Sequence, residues 1–431
     1  MELTKTKYKK TELGMLPVDW DIMTIKDVFK FYPTSNYSKA EMLLDGEFGC
    51  VHYGLIHAIS NSNYSVENGI KYFITREQAK YEFIKEGDVV MVDASEDLVG
   101  VNKSVELNGI GNKKLIAGLH TFLLRDSNSL LVDNLRGQIL NSIAVKNQML
   151  KFAVGMKVFG VSKVQLKQIL IPVPPKEEQK AIATALSDVD DLINNLEKLI
   201  AKKKAIKQGA MQQLLTPPNK GGKRLVGFTG DWAEKRLGEI GSTYSGLSGK
   251  TKVDFDNGKF PYIIFLNVMN NIIIDINQVG KVNIKDGEIQ NKARQGDLFF
   301  NTSSETPEEV GMCAVLLQDI PNLYLNSFCF GFRLKNQDEI DGLFISYLIN
   351  SDIGRKLFLS LAQGATRYNL SKSNFNNIII SVPTNKEQKA ISSMLNDIDI
   401  EIKSLELKCE KYKNLKQGMM QELLAGRTRL V

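Results

Sequence analysis

Apolar residues recur at alternating steps of four and three along two long segments of this chain. In the first segment they are Ile182, Leu186, Val189, Ile193, Leu196 and Ile200, and in the second Ile391, Leu395, Ile398, Ile402, Leu405, Cys409 and Tyr412. Asp, Glu and Lys are interspersed among them. This spacing is typical of a coiled-coil seam that continues for about three heptads. It predicts two long amphipathic helices.

Prolines and a glycine mark the ends of both predicted helices. Pro174 and Pro175 precede the first helix and Pro383 precedes the second, where proline is tolerated. Pro217 follows the first helix and Gly426 follows the second. Each helix would contain about 38 residues and extend roughly 57 Å at about 1.5 Å per residue. An apolar seam of that length needs a partner, and the simplest one is the other helix, antiparallel in the same molecule.

The two helical segments are copies of one another. Residues 178–182, Glu-Gln-Lys-Ala-Ile, return at 387–391, and the Lys-Gln-Gly at 207–209 returns at 416–418, both at an offset of 209. Aligned without gaps, residues 178–215 and 387–424 are identical at 20 of 38 positions. The chain is therefore predicted to have an internal pseudo-two-fold repeat. Duplex DNA is the commonest partner that such a protein can meet twice.

The regions between the helices predict two further domains. They are rich in Ile, Val, Phe, Tyr, Asn and Gly, and their short apolar runs, such as 89–92, 121–124 and 328–332, are typical of strands, while 343–361 is typical of helix. The predicted fold class is α+β, with domains at 1–175 and 217–383 alternating with helices at 176–216 and 384–431. The C-terminal Arg-Leu-Val at 429–431 resembles 224–226, just before the second domain. The arrangement is thus expected to be circular.

Composition limits the class of protein. The chain of 431 residues is 43% hydrophobic and 24% charged, as in ordinary globular proteins, and its net charge of +6 is compatible with a nucleic-acid partner. The four cysteines have no paired spacing, which favours free thiols in a reducing compartment. The N-terminal residues lack the apolar run of a signal peptide, and no stretch of about 20 apolar residues is present. We expect a cytoplasmic protein without a membrane partner.

Motifs for catalysis are few. His52, His57 and His120 all lie in the first domain, and the spacing of His52 and His57 without a nearby cysteine is a poor signal for zinc. Residues 246–251, Gly-Leu-Ser-Gly-Lys-Thr, resemble the end of a P-loop, but Tyr244 stands where its first glycine would be. No glycine fingerprint for a nucleotide cofactor follows a strand. These observations predict no catalytic residue, no metal site and no cofactor in this chain.

A binding surface is the remaining prediction. Basic loops with glycine, serine and aromatic neighbours suit contacts to phosphates and bases. The candidate nucleic-acid-binding residues are Lys250, Lys252, Arg294, Arg367, Tyr368, Lys103 and Lys157. Any one of them could equally lie in a solvated loop, and the lysines at 202–204 could be the outer face of a helix.

The repeated glycines, Gly209 and Gly418, need a reason, because a glycine inside a helix costs about 1 kcal/mol relative to alanine. Close approach of the helices, docking of a partner, or inheritance from the duplication would each account for them. The candidate residues of the helix core and of partner docking are Ile182, Leu186, Val189, Ile193, Leu196, Gly209, Ile391, Leu395, Ile398, Ile402, Leu405 and Gly418.

Taken in this order, the motifs resemble the specificity subunits of type I restriction–modification systems. The similarity extends over essentially the whole chain. It includes the Pro-x(3)-Glu-Gln entry to each helix at 174–179 and 383–388, the Lys-Gln-Gly-x-Met-Gln-x-Leu-Leu ends, and the segment 364–371 before the second helix. The first domain has a looser form of that segment at 155–162.

The resemblance implies two target-recognition domains, each reading one half of a split, asymmetric target in double-stranded DNA. It implies that the helices form an antiparallel coiled coil that sets the length of the spacer. Two methyltransferase subunits, which bind S-adenosylmethionine and methylate adenine at N6, would dock on the helices. Restriction subunits that use ATP and Mg²⁺ would join them, and this chain would have no catalytic activity.

Two other classes remain open at this point. A coiled-coil scaffold that never binds DNA would account for the helices but not for the two divergent domains. A fused methyltransferase or nuclease would need the cofactor motifs that the sequence lacks. Duplex binding that weakens as salt rises would separate a DNA-binding subunit from a scaffold.

Overall fold

The computed structural model describes residues 7–97, 100–153, 159–256, 258–364 and 367–430. The chain forms two compact units. Unit 1 comprises Met1–Glu197 with Leu407–Val431, and unit 2 comprises Lys198–Glu406. Lys157 and the first half of the segment 155–162 lie outside the described residues.

The first domain, in unit 1, contains short strands and helices. Its strands are β1 (Tyr8–Thr11), β2 (Gly14–Pro17), β3 (Asp21–Thr24), β4 (Lys30–Tyr32), β5 (Phe48–Val51), β6 (Asn63–Ser65), β7 (Phe73–Ile74), β8 (Val89–Val92), β9 (Ala94–Ser95), β10 (Ser104–Asn108), β11 (Lys114–Ala117), β12 (Thr121–Arg125), β13 (Phe159–Gly160) and β14 (Leu170–Val173). Its helices are α1 (Ile25–Val28), α2 (Tyr53–Ala58), α3 (Arg136–Leu140), α4 (Ile143–Phe152) and α5 (Lys163–Leu166), and the long helix α6 (Lys176–Leu214) follows.

The second domain, in unit 2, has a similar succession of elements. Its strands are β15 (Ala233–Arg236), β16 (Gly241–Ser245), β17 (Phe260–Ile263), β18 (Val279–Val282), β19 (Leu298–Asn301), β20 (Ser303–Ser304), β21 (Cys313–Val315), β22 (Tyr324–Leu325), β23 (Cys329–Leu334), β24 (Tyr368–Asn369) and β25 (Ile379–Val382). Its helices are α7 (Leu237–Ile240), α8 (Lys252–Asp256), α9 (Phe265–Asn270), α10 (Gly342–Asn350), α11 (Asp352–Leu359) and α12 (Lys372–Asn376), and the second long helix is α13 (Asn385–Leu423).

The sheets of the two domains follow one plan. The main sheet has the strand order β4-β12-β8-β10-β6 in unit 1 and β16-β23-β19-β21 in unit 2. Beside it lies a three-stranded sheet, β11-β5-β7 in unit 1 and β18-β17-β22 in unit 2. In each smaller sheet one pair is parallel, β11 with β5 and β17 with β22. The repeat that the sequence predicts thus extends through the domains as well as the helices.

A buried ion pair recurs at the same place in both main sheets. Asp88 accepts two hydrogen bonds from Arg125, at 2.8 and 2.7 Å, and Asp297 accepts two from Arg333, at 2.8 and 2.6 Å. Both carboxylates are buried, and each follows a glycine with positive φ, Gly87 or Gly296. The repeated Gly-Asp of the sequence therefore stabilises the fold, because only glycine adopts this turn without strain.

Each long helix contributes to the core of both units. In unit 1, Ile182 and Leu186 near the start of α6 and Leu423 and Leu424 at the end of α13 pack in one cluster with Trp20. The corresponding cluster of unit 2 contains the two leucines that end α6, two apolar residues near the start of α13, and several phenylalanines, namely Leu214, Leu215, Ile391, Leu395, Phe300, Phe330, Phe332, Phe358 and Phe375. Complete burial of one such side chain contributes about 1.5–3 kcal/mol.

The predicted seam is the face along which α6 and α13 pair. Its residues Ile182, Leu186, Ile193, Leu196, Ile391, Leu395 and Ile402 are buried, and Val189, Ile398 and Leu405 are half-buried. In unit 1, Lys416 contacts Asp190 (2.5 Å) and Lys413 contacts Glu197 (3.0 Å). Because the lower-numbered lysine pairs with the higher-numbered acid, the helices are antiparallel there, as predicted.

The same pairing recurs in unit 2, where Lys207 contacts Asp399 (2.6 Å) and Lys203 contacts Glu401 (2.7 Å). Lys207 and Lys416 are equivalent lysines of the two Lys-Gln-Gly repeats. A domain side chain supports each acid, since Tyr347 donates to Asp399 (2.7 Å) and Gln138 donates to Asp190 (3.1 Å). The repeated lysine therefore joins the two helices.

The helices in the described part of the chain include none that is both long and apolar enough to cross a membrane.

We expect Lys416→Ala to lower the free energy of unfolding by about 3–5 kcal/mol, because it leaves the buried carboxylate of Asp190 without its cation. Urea unfolding can be followed by the fluorescence of Trp20, which is buried in unit 1, in a Trp232→Phe background. The matched control is Lys413→Ala, also in unit 1, since the pair of Lys413 with Glu197 is exposed and contributes about 0–1 kcal/mol. Equal effects of the two substitutions would contradict the assignment.

Candidate nucleic-acid interface

The predicted DNA-binding residues of the first half of unit 2 differ in exposure. The ammonium of Lys250 is buried, and it donates to Glu288 (2.6 Å) and to the carbonyl of Asn283 (2.7 Å). The hydrogen bond from Lys250 is the main reason that the pKa of Glu288 is lowered to about 2. Lys252 and Arg294 are exposed. Lys250 thus closes a loop and presents little charge to a phosphate, which its sequence position did not reveal.

Tyr368 is the first residue of the short strand β24, which pairs with β20, and Arg367 immediately precedes it. Arg367 is exposed, and its Nε donates to Oγ of Ser303 at 3.1 Å. Its guanidinium also lies 5.9 Å from the ring centroid of Phe328. Tyr368 is half-buried and packs against the core of unit 2. Arg367 is therefore a surface cation whose position is fixed by contacts to Ser303 and Phe328, whereas Tyr368 contributes to the packing of the core.

In unit 1, Lys103 is half-buried and its ammonium donates to the carbonyl of His57 at 3.0 Å. Burial lowers its pKa. Among the residues that the structure describes, no hydrogen bond or ion pair joins any of the six described candidates to another. The structure thus leaves Lys252, Arg294 and Arg367 as exposed cations at three separate places in the sequence of unit 2.

The repeated Glu-Gln at the helix entries ties each helix to the segment that follows the other helix. Arg429, after α13, donates to Glu178 at the start of α6 and to Asp19 (2.7 Å) in unit 1. Trp20 donates to the same Glu178 at 2.7 Å. In unit 2, Arg224, after α6, donates to Glu387 at the start of α13 (3.0 Å).

Both glutamates of these junctions are completely buried. Burial alone would lower the pKa of Arg429, but its hydrogen bonds to Glu178 and Asp19 hold the pKa above its ordinary value. The next residue repeats as well, because Gln179 donates to the carbonyl of Pro174 (2.8 Å) and Gln388 donates to that of Pro383 (2.9 Å). The C-terminal segment thus meets the start of unit 1, in agreement with the predicted circular order.

The repeated glycines do not mark a close approach of the helices. A Cβ atom added to Gly209 or Gly418 would meet no heavy atom within 4 Å. Of the three explanations for these glycines, close approach of the helices is therefore excluded, and docking of a partner stays a prediction. One turn before each glycine lies an exposed apolar residue, Ile206 (47% exposed) or Leu415 (49%). In unit 1 an open groove of about 530 Å³ runs beside Leu415, Gly418 and Met419.

Comparisons with known proteins converge on one class. A family model described as "Type I restriction modification DNA specificity domain" matches residues 17–208 and 229–411. Two Methanocaldococcus jannaschii proteins, named as the MjaX and MjaVIII type I restriction enzyme specificity subunits, are similar. The MjaX protein is 28% identical, with 98% of this chain and 97% of its own length covered. The MjaVIII protein is 27% identical, with 100% of this chain and 98% of its own length covered.

The fold also resembles the crystal structure of the S subunit of a type I restriction–modification system from M. genitalium, with a TM-score of 0.58. The sequences are 17% identical, and the alignment covers 94% of this chain and 96% of that one.

We expect Arg429→Ala to lower the free energy of unfolding of unit 1 by about 3–5 kcal/mol, because the buried carboxylate of Glu178 loses its cation. The signal of Trp20, which donates to that carboxylate, should change in the same transition. Arg427→Ala is the matched control, because the ion pair of Arg427 with Glu422 is exposed. If the Arg429 variant is as stable as the control, the ion pair of Arg429 with Glu178 does not stabilise unit 1.

Proposed function

Because this chain belongs to the family of type I restriction–modification DNA specificity proteins, we propose that it binds a split, asymmetric target in double-stranded DNA. Each recognition domain reads one half-site, and the paired helices set the length of the spacer between them. Membership of the family makes the chain a DNA specificity subunit with two recognition domains, and such subunits are not themselves catalysts.

The observation that carries the proposal is a repeated framework with unlike surfaces. The Asp–Arg pair, the helix entries and the lysines that join the helices recur in both units. The loops differ, since Lys250 of unit 2 lies in one that closes on Glu288, and the exposed His120 of unit 1 has no histidine counterpart in unit 2. Domains with a common frame and different loops would present different side chains to base edges, so the two half-sites should differ.

The helices support the proposal of a fixed spacer. Each contains 39 residues, which corresponds to about 58 Å at about 1.5 Å per residue. Each begins in one unit and ends in the other. A continuous helix is a stiffer connection than a loop. Its length in residues would therefore fix the number of base pairs in the spacer between the two half-sites.

We further propose that two methyltransferase subunits dock on the helices, one at each Lys-Gln-Gly repeat. The open faces at Gly209 and Gly418, with the exposed Ile206 and Leu415, support two equivalent docking places. Restriction subunits would join this complex. S-adenosylmethionine, ATP and Mg²⁺ would be bound by those partners and not by this chain.

The test of the function is a comparison of methylated adenines across the genome of a strain with this gene and of the same strain without it. We expect a motif of two unlike half-sites, separated by a constant gap, that is lost on deletion. The loss identifies both the activity of the complex and its target.

An unchanged genome would favour the scaffold interpretation, and the purified full-length chain would then be tested for duplex binding at low and raised salt. A DNA-binding subunit should lose affinity steeply as salt rises. Its binding releases cations that are condensed on the DNA phosphates, and this release is less favourable at higher salt. No binding at low salt would exclude the proposal.

We expect an insertion of four helix-forming residues, placed in both long helices, to lengthen the spacer and leave both half-sites unchanged. The matched positions are between Glu197 and Lys198 and between Glu406 and Leu407, where the units divide. The insertion adds about 6 Å, or about one or two base pairs at about 3.4 Å each. The measurement is again the methylated motif, and the control replaces four residues there without changing the length. An unchanged spacer would refute the role of the helices in setting it.

A further inference from the structure

A pair of aromatic rings lies at the same place in both recognition domains, although the residues differ. In unit 1 the rings are those of Tyr53 and His120, with centroids 5.6 Å apart and planes at 84°. In unit 2 they are those of Phe265 and Phe328, with centroids 6.5 Å apart and planes at 85°. Both pairs meet edge to face.

The two places are equivalent in the fold. Tyr53 and Phe265 are the first residues of α2 and α9, which follow the equivalent strands β5 and β17. His120 and Phe328 each stand immediately before the second strand in the order of the main sheet, β12 or β23. The repeat cannot be recognised from the residue types, since the tyrosine and the histidine of one domain are both replaced by phenylalanine in the other.

Backbone hydrogen bonds confirm the equivalence. The amide of Asp93 donates to the carbonyl of His120 at 3.1 Å, and that of Thr302 donates to the carbonyl of Phe328 at 3.0 Å. Two residues before each ring, a second bond recurs, from Gly118 to Val51 (2.9 Å) in unit 1 and from Asn326 to Ile263 (3.1 Å) in unit 2. The frame therefore holds one position for a side chain in each domain, and the side chain is histidine in one and phenylalanine in the other.

These rings face solvent more than packing requires. Phe328 is 55% exposed and the side chain of His120 is 53% exposed. Tyr53 is 36% exposed. A single exposed aromatic residue needs no explanation, but exposed rings at an equivalent position of two divergent domains indicate a common use.

A cation contacts the pair in unit 2, and in unit 1 cations contact a ring that neighbours the pair. In unit 2 the guanidinium of Arg367 lies 5.9 Å from the ring of Phe328 and is held by Ser303. In unit 1 the ring of His52 lies between those of Tyr53 (4.2 Å) and Tyr72 (6.2 Å). The ammonium groups of Lys39 and Lys71 lie 5.7 and 5.6 Å from the ring of Tyr72. Cations beside exposed rings suit a strand of DNA, because the cations attract phosphates while the rings contact bases.

We propose that His120 and Phe328 contact base edges at equivalent positions of the two half-sites and help to make those half-sites different. This inference rests on the proposed function. Phe328 offers only apolar surface, which suits the methyl group of thymine in the major groove. His120 can donate or accept a hydrogen bond, and its Nδ1 lies 3.3 Å from Oδ1 of Asp93, which leaves Nε2 for a base. Tyr53 and Phe265 pack edge to face against the two rings.

The test uses the full-length gene in its strain, with methylated adenines as the readout. Phe328→Ala should relax the preference at one base pair of one half-site by about tenfold and leave the other half-site intact. His120→Asn should alter the other half-site, and asparagine is chosen because His120 has a φ of 56°, which asparagine tolerates. The controls are Ile289→Ala (95% exposed) in unit 2 and Leu44→Ala (78% exposed) in unit 1, which should change neither half-site.

The outcomes are distinct. If the wild-type gene produces no split motif, the proposed function fails, whatever the variants do. If it does and both variants keep the whole motif, the assignment of these rings is overturned. If a variant abolishes methylation, the purified chain is compared with wild type in thermal unfolding and in binding to target and unrelated duplexes. Loss of binding to the target alone, at an unchanged melting temperature, supports the assignment, and equal loss on both duplexes, or a lowered melting temperature, refutes it.

Discussion

The pairing of α6 with α13 is the interaction on which the rest of the structure depends. Each helix has an apolar seam that would be unfavourable in water, and each covers the seam of the other in both units. The leucines at the helix ends then enter the domain cores, so the domains fold onto the helices as well as onto themselves. Lys207 and Lys416 select the register, because each must reach an acid supported by a domain side chain. Burial supplies most of the free energy, and these ion pairs supply specificity of pairing.

Duplication explains why residues of one kind repeat while others do not. The residues shared by the halves are those with structural duties, such as the buried Asp88 and Asp297 and the clamped Glu178 and Glu387. Each has partners that would be left unpaired by substitution. The side chains of His120 and Phe328 are exposed and, within the described part of the chain, have no buried charged partner, and they differ. A subunit that must recognise two unlike half-sites needs this division between a common frame and free surface positions.

Prediction from sequence succeeded where hydrophobic periodicity and residues that begin or end helices occur together. The helix predicted at 176–216 is Lys176–Leu214, because proline and the heptad pattern act locally. The helix predicted at 384–431 begins as expected but ends earlier, since it is Asn385–Leu423. Prediction failed where a side chain's environment depends on distant residues. Lys250 lies in a segment with the composition of a phosphate-binding loop, yet its ammonium is buried in an ion pair with Glu288, which lies far along the chain. Gly209 and Gly418 suggested a close contact, and the neighbouring helix leaves both open.

The sequence by itself determined the repeat, the two long helices, their antiparallel seam and the family. These follow from the spacing of apolar residues and from motifs that recur at one offset along the chain. Only the tertiary structure decided what the repeated residues do and which variable residues reach the surface. It joined Arg429 to Glu178 across the chain and brought Tyr53 beside His120 and Phe265 beside Phe328. The physical reason is that helix formation and seam pairing follow local spacing, whereas burial and ion pairing depend on which distant segments the sheets bring together.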